Sequence, residues 1–359
     1  MIETYLLYIY ILIFAGFFAY IAQYDKNAMP RMLGRILCFM FLFVPAALRY
    51  GIGTDYKHYV RIYENNFPDD MQKLEPGFVF IGRVCHFIGL SPEMFIAVIA
   101  GITIALICFY IPRNHIFTVV VFYILSFIYL NSYNLSRQCL ATSLLLCGFS
   151  LFYNNQKIKA FLLFVFAILI HYSSVVALPI VAISFVKMNS FLRFGLIVLV
   201  FIIGINEKFM LMLIDVAALI NPRNARLTLL LTKTEINVGI TNIIMALPSA
   251  LILLNSKKIL RQNNGTLIVN ANAFFLILLT MSYLMAILSR FITVLFFIPL
   301  FSIQILYNAN RRYAQLCHLF LIGCFIMLFL RYIEHHSVTK SQSFGIGFGI
   351  SPYISIFNK

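Results

Sequence analysis

Charged side chains are scarce in this sequence: they make up 11% of its 359 residues, whereas 62% of the residues are hydrophobic. Soluble domains are about one quarter charged, so the composition excludes an ordinary soluble protein. Apolar runs of roughly 17–25 residues, each long enough to cross a bilayer core, recur along the chain. These runs should be helical, because lipid cannot satisfy an open backbone. We therefore expect an all-α, polytopic integral membrane protein.

Metal-binding and disulfide patterns are also missing. The 7 cysteines are odd in number and none shows CxxC or CxxH spacing, so we interpret them as small buried hydrophobic residues. The first apolar run, residues 4–22, lacks a basic leading region and a small-residue cleavage site, and we expect it to be retained as a helix. With no repeat, low-complexity tract or soluble domain visible, we expect a single transmembrane domain over residues 1–359.

The apolar runs predict about 10–12 transmembrane helices. Their expected positions are residues 4–22, 33–48, 93–111, 116–131, 138–153, 160–171, 173–187, 192–206, 238–254, 268–286, 291–308 and 313–332. The segments 160–171 and 173–187 are short, and a re-entrant hairpin or one helix broken near Pro179 would also explain them.

Basic residues are concentrated in alternate short loops, which fixes the expected topology. One set of loops holds 13 basic residues and the single acid Asp25: Lys26, Arg31, Arg35, Arg113, Lys157, Lys159, Lys187, Arg193, Lys257, Lys258, Arg261, Arg311 and Arg312. The positive-inside rule places this set in the cytoplasm. Both termini then lie outside, with a long outer loop at 49–92, a second outer loop at 206–237 and an outer tail at 333–359. The net charge of +15 is explained by this topology and by contact with anionic lipid, so we expect no nucleic-acid partner.

Three arginines, Arg49, Arg137 and Arg290, lie near helix ends on the outer side. An arginine facing lipid costs up to ~2.5–3.5 kcal/mol at a helix centre. Three on one side suggest a shared anionic ligand, because the guanidinium fork matches phosphate oxygens. Taken singly, each could instead extend to lipid headgroups.

The same side carries the candidate acid–base groups: Asp55 in GTDY, Glu75 in LEPGF and His171 in LIHYSS. Asp55 and His171 are the candidate proton acceptors. As alternatives, Asp55 and Glu75 could cap turns and His171 could be a structural histidine. Asp55, Glu64 and Glu75 share one loop and make Mg²⁺ possible, but their spacing is not that of a DxD cluster. We therefore expect no metal and no cofactor. The pair Asp69 and Asp70 is interpreted as a solvated loop tip.

A set of motifs occurs in a characteristic order: Arg49-x-x-x-Gly53-Thr54-Asp55-Tyr56-x-x-Tyr59, Glu75-Pro76-Gly77-Phe78, Asn134-x-x-Arg137-Gln138-x-x-Ala141 and His171-x-Ser173. As a set they resemble the EpsG-like group of Wzy-type O-antigen polymerases of the bacterial inner membrane. The resemblance implies a GT-C-like helical bundle with its active site facing the periplasm. It also implies an enzyme that polymerises undecaprenyl-pyrophosphate-linked oligosaccharide repeat units into O-antigen or a related surface polysaccharide.

The resemblance and the residue chemistry together imply roles for single residues. Pyrophosphate would be bound by Arg49, Arg137 and Arg290, and Asp55 or His171 would accept the proton of the attacking hydroxyl. The expected sugar-binding residues are Tyr56, Tyr59, Glu75 and Gln138. The expected partners are the lipid-linked oligosaccharide and membrane lipids, and the resemblance also allows a separate chain-length regulator as a partner.

Three other functions remain open. An O-antigen ligase, or another transferase that uses a lipid carrier, would need much the same arginines and acids. A flippase for lipid-linked sugars would place polar residues at helix midpoints, whereas here they collect near one face. A membrane acyltransferase would need a catalytic histidine within the membrane, and only His171 qualifies.

Overall fold

A computed structural model describes residues 2–67, 74–205, 212, 215, 239–282, 288–309, 311–338 and 348–358. Within these residues the backbone forms helices joined by short turns, and the only strand-like pairings are two isolated bridges. This confirms the all-α fold class. Asp69, Asp70 and nearly all of the predicted loop 206–237 lie outside the described residues.

Several described helices have the length and composition of membrane spans. Six are long and apolar enough to cross a bilayer: Ile2–Tyr24, Ala28–Leu48, Pro92–Tyr110, Gly265–Ser282, Phe291–Ala309 and Gln315–His335. Four shorter apolar helices accompany them: Arg113–Leu125, Tyr172–Ile183, Ser190–Val200 and Ile240–Leu254. The protein is therefore a multi-pass membrane protein. The total of 10–12 spans and the GT-C-like arrangement stay predictions.

The chain divides into two compact units, and the first comprises residues 1–174 and 318–359. Its helices in the N-terminal part are α1 (Ile2–Tyr24), α2 (Ala28–Leu48), α3 (Tyr56–Glu64), α4 (Pro76–Phe87), α5 (Pro92–Ala105), α6 (Ile116–Leu125), α7 (Ile128–Asn131), α8 (Ser136–Tyr153) and α9 (Lys157–Ile170). The hairpins α1–α2 and α8–α9 are packed along their lengths, and α1 also packs on α6.

The second unit comprises residues 175–317. Its described helices are α10 (Leu178–Ile183), α11 (Ser190–Ile205), α12 (Ile240–Leu254), α13 (Ser256–Ile259), α14 (Gly265–Ser282), α15 (Leu288–Leu295) and α16 (Phe297–Ala309). In this unit α14 packs against α10, α11, α12, α15 and α16. A last helix, α17 (Arg311–His335), begins in the second unit and continues into the first.

Two arginines join basic loops at one end of the first unit. Arg113 Nε donates to the carbonyl of Gln23 at 2.8 Å, just before the α1–α2 turn. Arg35 donates from Nη1 to the carbonyl of Cys108 at 2.6 Å and from Nη2 to that of Ile111 at 3.0 Å. The sequence assigns both loops to the cytoplasmic side, so these contacts agree with the predicted alternation.

The opposite end of α1 lies among the segments assigned to the outer side. The Tyr8 hydroxyl donates to the carbonyl of Ile350 at 2.8 Å, and the amide of Tyr353 donates to Thr4 Oγ1 at 3.0 Å. The amide of Thr54 donates to the carbonyl of Phe348 at 3.0 Å. The N-terminus, the GTDY segment and the C-terminal tail therefore meet at one end of this unit, and their assignment to the outer side stays a prediction.

Three elements differ from the segments expected from sequence. The loop 49–92 contains α3 and α4, and α4 is too short to span, since 12 residues rise only about 18 Å. The span expected at 116–131 is divided at Phe127, whose φ of 60° is left-handed. The third difference concerns only the alternative of one helix broken near Pro179: the break lies at His171, between the expected spans 160–171 and 173–187, where the backbone is extended at φ −155° and ψ 113°. Pro179 instead starts α10, where its missing N–H is tolerated.

Candidate functional site

Glu75, Arg137 and His171 form one hydrogen-bonded group, here called the Glu75 cluster. Arg137 Nη1 donates to Glu75 Oε2 at 2.7 Å, and His171 Nδ1 lies 2.9 Å from Glu75 Oε1. The Glu75 side chain is 7% exposed, whereas those of Arg137 and His171 are 23% and 20% exposed. The carboxylate is thus buried behind a cation and an imidazole that both reach the surface.

Local backbone geometry explains how these three side chains meet. Glu75 is extended just before Pro76, which starts α4, and its side chain makes no helix-cap bond, so it is free for other partners. Arg137 lies in the first turn of α8, and His171 in the extended break after α9. At Gly77 a Cβ would lie 2.9 Å from the carbonyl oxygen of Leu169. This close approach of α4 to the end of α9 places Glu75 beside His171.

Aromatic rings line the guanidinium of Arg137. Its Cζ lies 5.9 Å from the ring centroid of Tyr59 and 5.4 Å from that of Phe78, and those rings are 5.9 Å apart. Cation–π contacts of this kind contribute roughly 0.5–2 kcal/mol each. The rings therefore hold the guanidinium in one orientation without neutralising its charge.

The electrostatics of the cluster keep Glu75 ionised. Burial alone raises the pKa of this carboxyl group, but the hydrogen bond from His171 and the charge of Arg137 outweigh that effect and leave the pKa below its ordinary value. An ionised carboxylate only accepts hydrogen bonds, so Nδ1 of His171 carries a proton. In the neutral ring, Nε2 is then the basic nitrogen.

Asn134 positions the GTDY segment next to this cluster. Its Oδ1 accepts from Thr54 Oγ1 at 3.1 Å and from the amide of Asp55 at 2.8 Å. Asp55 is half-buried at the start of α3 and takes part in further polar contacts. Gly53 has φ +96°, and a Cβ there would lie 2.7 Å from the carbonyl oxygen of Tyr133. Sequence analysis gave Asn134 no site role, although it stands three residues before Arg137 in the quoted motif.

Arg49 has a different environment from Arg137. It is only 2% exposed, and its guanidinium lies 5.0 Å from the Tyr133 ring. Its Nη1 donates to the carbonyl of Ala46, and its Nη2 to the carbonyl of Ser132 at 3.5 Å and Ser136 Oγ at 3.4 Å. Arg49 therefore binds the chain's own groups and joins the end of α2 to the start of α8.

The remaining predicted residues fall in different places. Tyr56, Tyr59 and Gln138 are buried, with Tyr56 packed edge-on against Tyr50. Arg290 belongs to α15 of the second unit, and its side chain lies outside the described part of the chain. Among the described residues no group of three or more His, Cys, Asp or Glu could hold a metal ion.

Comparison with known proteins gives one match. The sequence model of the EpsG family matches residues 32–355, which is nearly the whole chain. No curated protein and no solved structure is matched. The motif resemblance is thereby confirmed at the level of the family, whose members are similar to Wzy-type polymerases. With its helical membrane fold and this match along almost its full length, the chain belongs to the EpsG family.

Proposed function

We propose that this protein polymerises undecaprenyl-pyrophosphate-linked oligosaccharide repeat units at the periplasmic face of the bacterial inner membrane. Membership of the EpsG family supports a membrane polysaccharide-polymerase-like role. The observation that carries the proposal further is the Glu75 cluster, in which one buried carboxylate holds both a cation and an imidazole. The cluster lies at one end of the first unit, and the positive-inside rule predicts that the loops at this end are on the outer side.

The reaction requires a proton acceptor, and the cluster favours His171. A non-reducing-end hydroxyl of the acceptor forms a bond to the anomeric carbon of the donor glycan. The bond from that carbon to the pyrophosphate oxygen breaks, and undecaprenyl pyrophosphate leaves. The hydroxyl proton goes to His171 Nε2, because Glu75 fixes the proton on Nδ1 and stabilises the imidazolium that forms. Asp55 is the alternative acceptor, held by Asn134.

The leaving pyrophosphate requires positive charge, and Arg137 is placed to supply it. One of its donors binds Glu75, while part of the side chain remains exposed beside Tyr59 and Phe78. A fixed cation at the leaving oxygen stabilises the charge that develops there. We assign Arg49 a positioning role, since both of its outer nitrogens donate to the chain itself. Arg290 remains our third candidate for the pyrophosphate, and Tyr56, Tyr59 and Gln138 remain candidates for shaping the sugar site.

The proposal is tested by incubating the purified full-length protein with a synthetic undecaprenyl-pyrophosphate-linked repeat unit and resolving the products by gel. We expect a ladder of products that differ by one repeat unit. A parallel reaction adds a lipid A–core acceptor. Transfer to that acceptor without a ladder would indicate a ligase, and the absence of any product from a folded protein would reject both transferase functions.

A further inference from the structure

A second buried arginine, Arg193, lies in the second unit. It is 3% exposed, and its Nε donates to Asn270 Oδ1 at 2.9 Å. The Asn270 amide is fully used, because its Nδ2 also donates to the carbonyls of Ile183 at 2.7 Å and Val186 at 2.8 Å. Asn270 therefore fixes Arg193 through Nε alone and leaves the outer nitrogens for another partner.

Among the described residues, no ion pair balances the charge of Arg193. Its Nη1 is buried and, among the described residues, has no hydrogen-bond partner. The sequence contains no aspartate or glutamate from 175 to 206 or from 239 to 317, so these segments cannot supply a carboxylate. An unpaired buried charge is expensive, so a guanidinium held in this way indicates an anionic ligand.

Arg193 lines a cavity of about 400 Å³ whose walls are mostly hydrocarbon. The polar lining comes from Ser190 and Arg193 at the start of α11 and from Ser256 at the start of α13. The apolar lining includes Leu253, Leu254 and Leu276. A cationic and hydroxyl-bearing end followed by an apolar wall suits an amphiphile with an anionic head and a hydrocarbon chain.

Exposed basic residues lie close in sequence to the residues that form the polar lining of this cavity. Lys187 precedes Ser190, and Lys257, Lys258 and Arg261 follow Ser256, and all four are exposed. They belong to the short loops that the positive-inside rule places in the cytoplasm. Acidic phospholipids of that leaflet attract such residues by about 1 kcal/mol each. Charge complementarity therefore favours an acidic phospholipid over a zwitterionic one.

We propose that Arg193 and this cavity form a binding site for one acidic phospholipid of the cytoplasmic leaflet. The lipid phosphate accepts from the guanidinium of Arg193, Ser190 and Ser256 line the same cavity, and one acyl chain lies against the leucines. The site is separate from the Glu75 cluster, and its evidence is independent of the proposed polymerase activity.

The test is native mass spectrometry of the full-length protein, released from micelles containing equal amounts of phosphatidylglycerol and phosphatidylcholine. We expect the wild type to retain one phosphatidylglycerol preferentially. Arg193→Gln should lower this preference by about tenfold, the size expected for losing one buried charged hydrogen bond. The matched control Arg261→Gln removes an exposed arginine of the same loops and should keep the preference.

A second variant keeps the test decisive where Arg193→Gln fails to fold. Ala250→Phe fills the apolar part of the cavity without touching the arginine, and should also lower lipid retention, whereas Ala182→Phe on exposed surface should not. Equal retention of the two phospholipids by the wild type would overturn the proposal. So would displacement of the lipid by millimolar inorganic phosphate, or a preference for undecaprenyl phosphate over phosphatidylglycerol.

Discussion

At the scale of single residues, Glu75 joins two groups that the chain brings from far apart. Its oxygens bind Arg137, which is 62 positions away, and His171, which is 96 positions away. The three side chains depend on one another, because the loss of any one of them leaves the others incompletely paired. Substitutions at Glu75 therefore report on the whole cluster.

Glu75→Gln keeps the shape of the side chain and removes its charge. The amide cannot stabilise an imidazolium on His171 as a carboxylate does, so we expect chain elongation to fall by about 100-fold or more, the usual worth of acid–base catalysis. The rate is measured from ladder formation by purified protein. Glu64→Gln, an exposed carboxylate at the end of α3, is the matched control and should retain full activity. Equal activity of the two variants would show that Glu75 takes no part in catalysis.

Arg49 and Arg137 are expected to fail in different ways. Arg49→Ala removes a buried guanidinium that joins α2 to α8, so it should destabilise the fold by about 1–3 kcal/mol and lower the melting temperature. Arg137→Ala leaves a more exposed site and should abolish elongation while the protein remains folded. Thermal unfolding and elongation, measured on both variants, distinguish the roles. A stable but inactive Arg49→Ala protein would instead indicate that Arg49 binds the substrate.

Two neighbouring glycines make a matched test of the GTDY segment. Both have left-handed backbones, with φ +63° at Gly51 and +96° at Gly53, but only at Gly53 would a Cβ meet another atom, 2.7 Å away. Gly51→Ala should cost roughly 1–2 kcal/mol, the strain of a left-handed residue. Gly53→Ala should cost more, because the Tyr133 backbone must also move. Comparable losses of thermal stability would show that the close contact does not constrain the loop.

At this scale the sequence identified the members of the cluster but not their contacts. Arg137, His171 and Glu75 were all identified as polar residues of the outer side, but Glu75 was assigned to sugar binding. Its pairing with His171 depends on α4 lying against the end of α9, which no local pattern encodes. The sequence likewise did not predict that Arg49 is buried and Arg137 partly exposed, because burial of an arginine depends on tertiary packing.

At the scale of elements, α4 shows what hydropathy alone misses. Phe78, Gly82 and Cys85 face inward at helical spacing, whereas Phe80 and Phe87 are exposed on the opposite side. A short helix that is apolar on both faces beside membrane spans is suited to the interface with lipid. In the sequence this segment was assigned to the outer loop 49–92, although its helical periodicity was present.

The C-terminal tail contains a buried histidine, and we expect its docking to depend on pH. His336 Nδ1 accepts a hydrogen bond from the amide of Phe348 at 3.0 Å, and the two rings stack at 4.7 Å. Burial, followed by the charge of His335, lowers the pKa of His336 to about 4 from an ordinary value of 6.5. The imidazole therefore binds a proton more readily when the tail is undocked. Its contribution to docking is complete above the ordinary pKa and is lost progressively as pH falls toward the lowered one.

We expect hydrogen exchange in residues 348–353, corrected for intrinsic rates, to accelerate as the pH falls from about 7 to about 5. His336→Asn replaces the titrating acceptor with a neutral one and should remove this dependence. Protection that stays constant over the same range in the wild type would contradict the assigned protonation state.

At the scale of the whole molecule, composition was sufficient to predict the class of protein. Scarce charge and recurrent apolar runs predicted a helical membrane protein. The sidedness inferred from the alternating basic loops stays a prediction, with which the contacts of Arg113 with Gln23 and of Tyr8 with Ile350 agree. The division into two units was not predictable, because no composition change marks residue 174. The two proposed sites, one in each unit, have opposite expected sidedness, so under these proposals each leaflet would face a different anion-binding site.

The central claim is that the Glu75 cluster carries out the proton transfer of polymerisation. The most direct measurement is the initial rate of ladder formation by purified His171→Ala, compared with His58→Ala, an exposed histidine of α3. We predict that His171→Ala loses elongation by about 100-fold or more while binding of the lipid-linked repeat unit is retained, and that His58→Ala matches the wild type. A folded His171→Ala protein that elongates chains at the wild-type rate would contradict the claim.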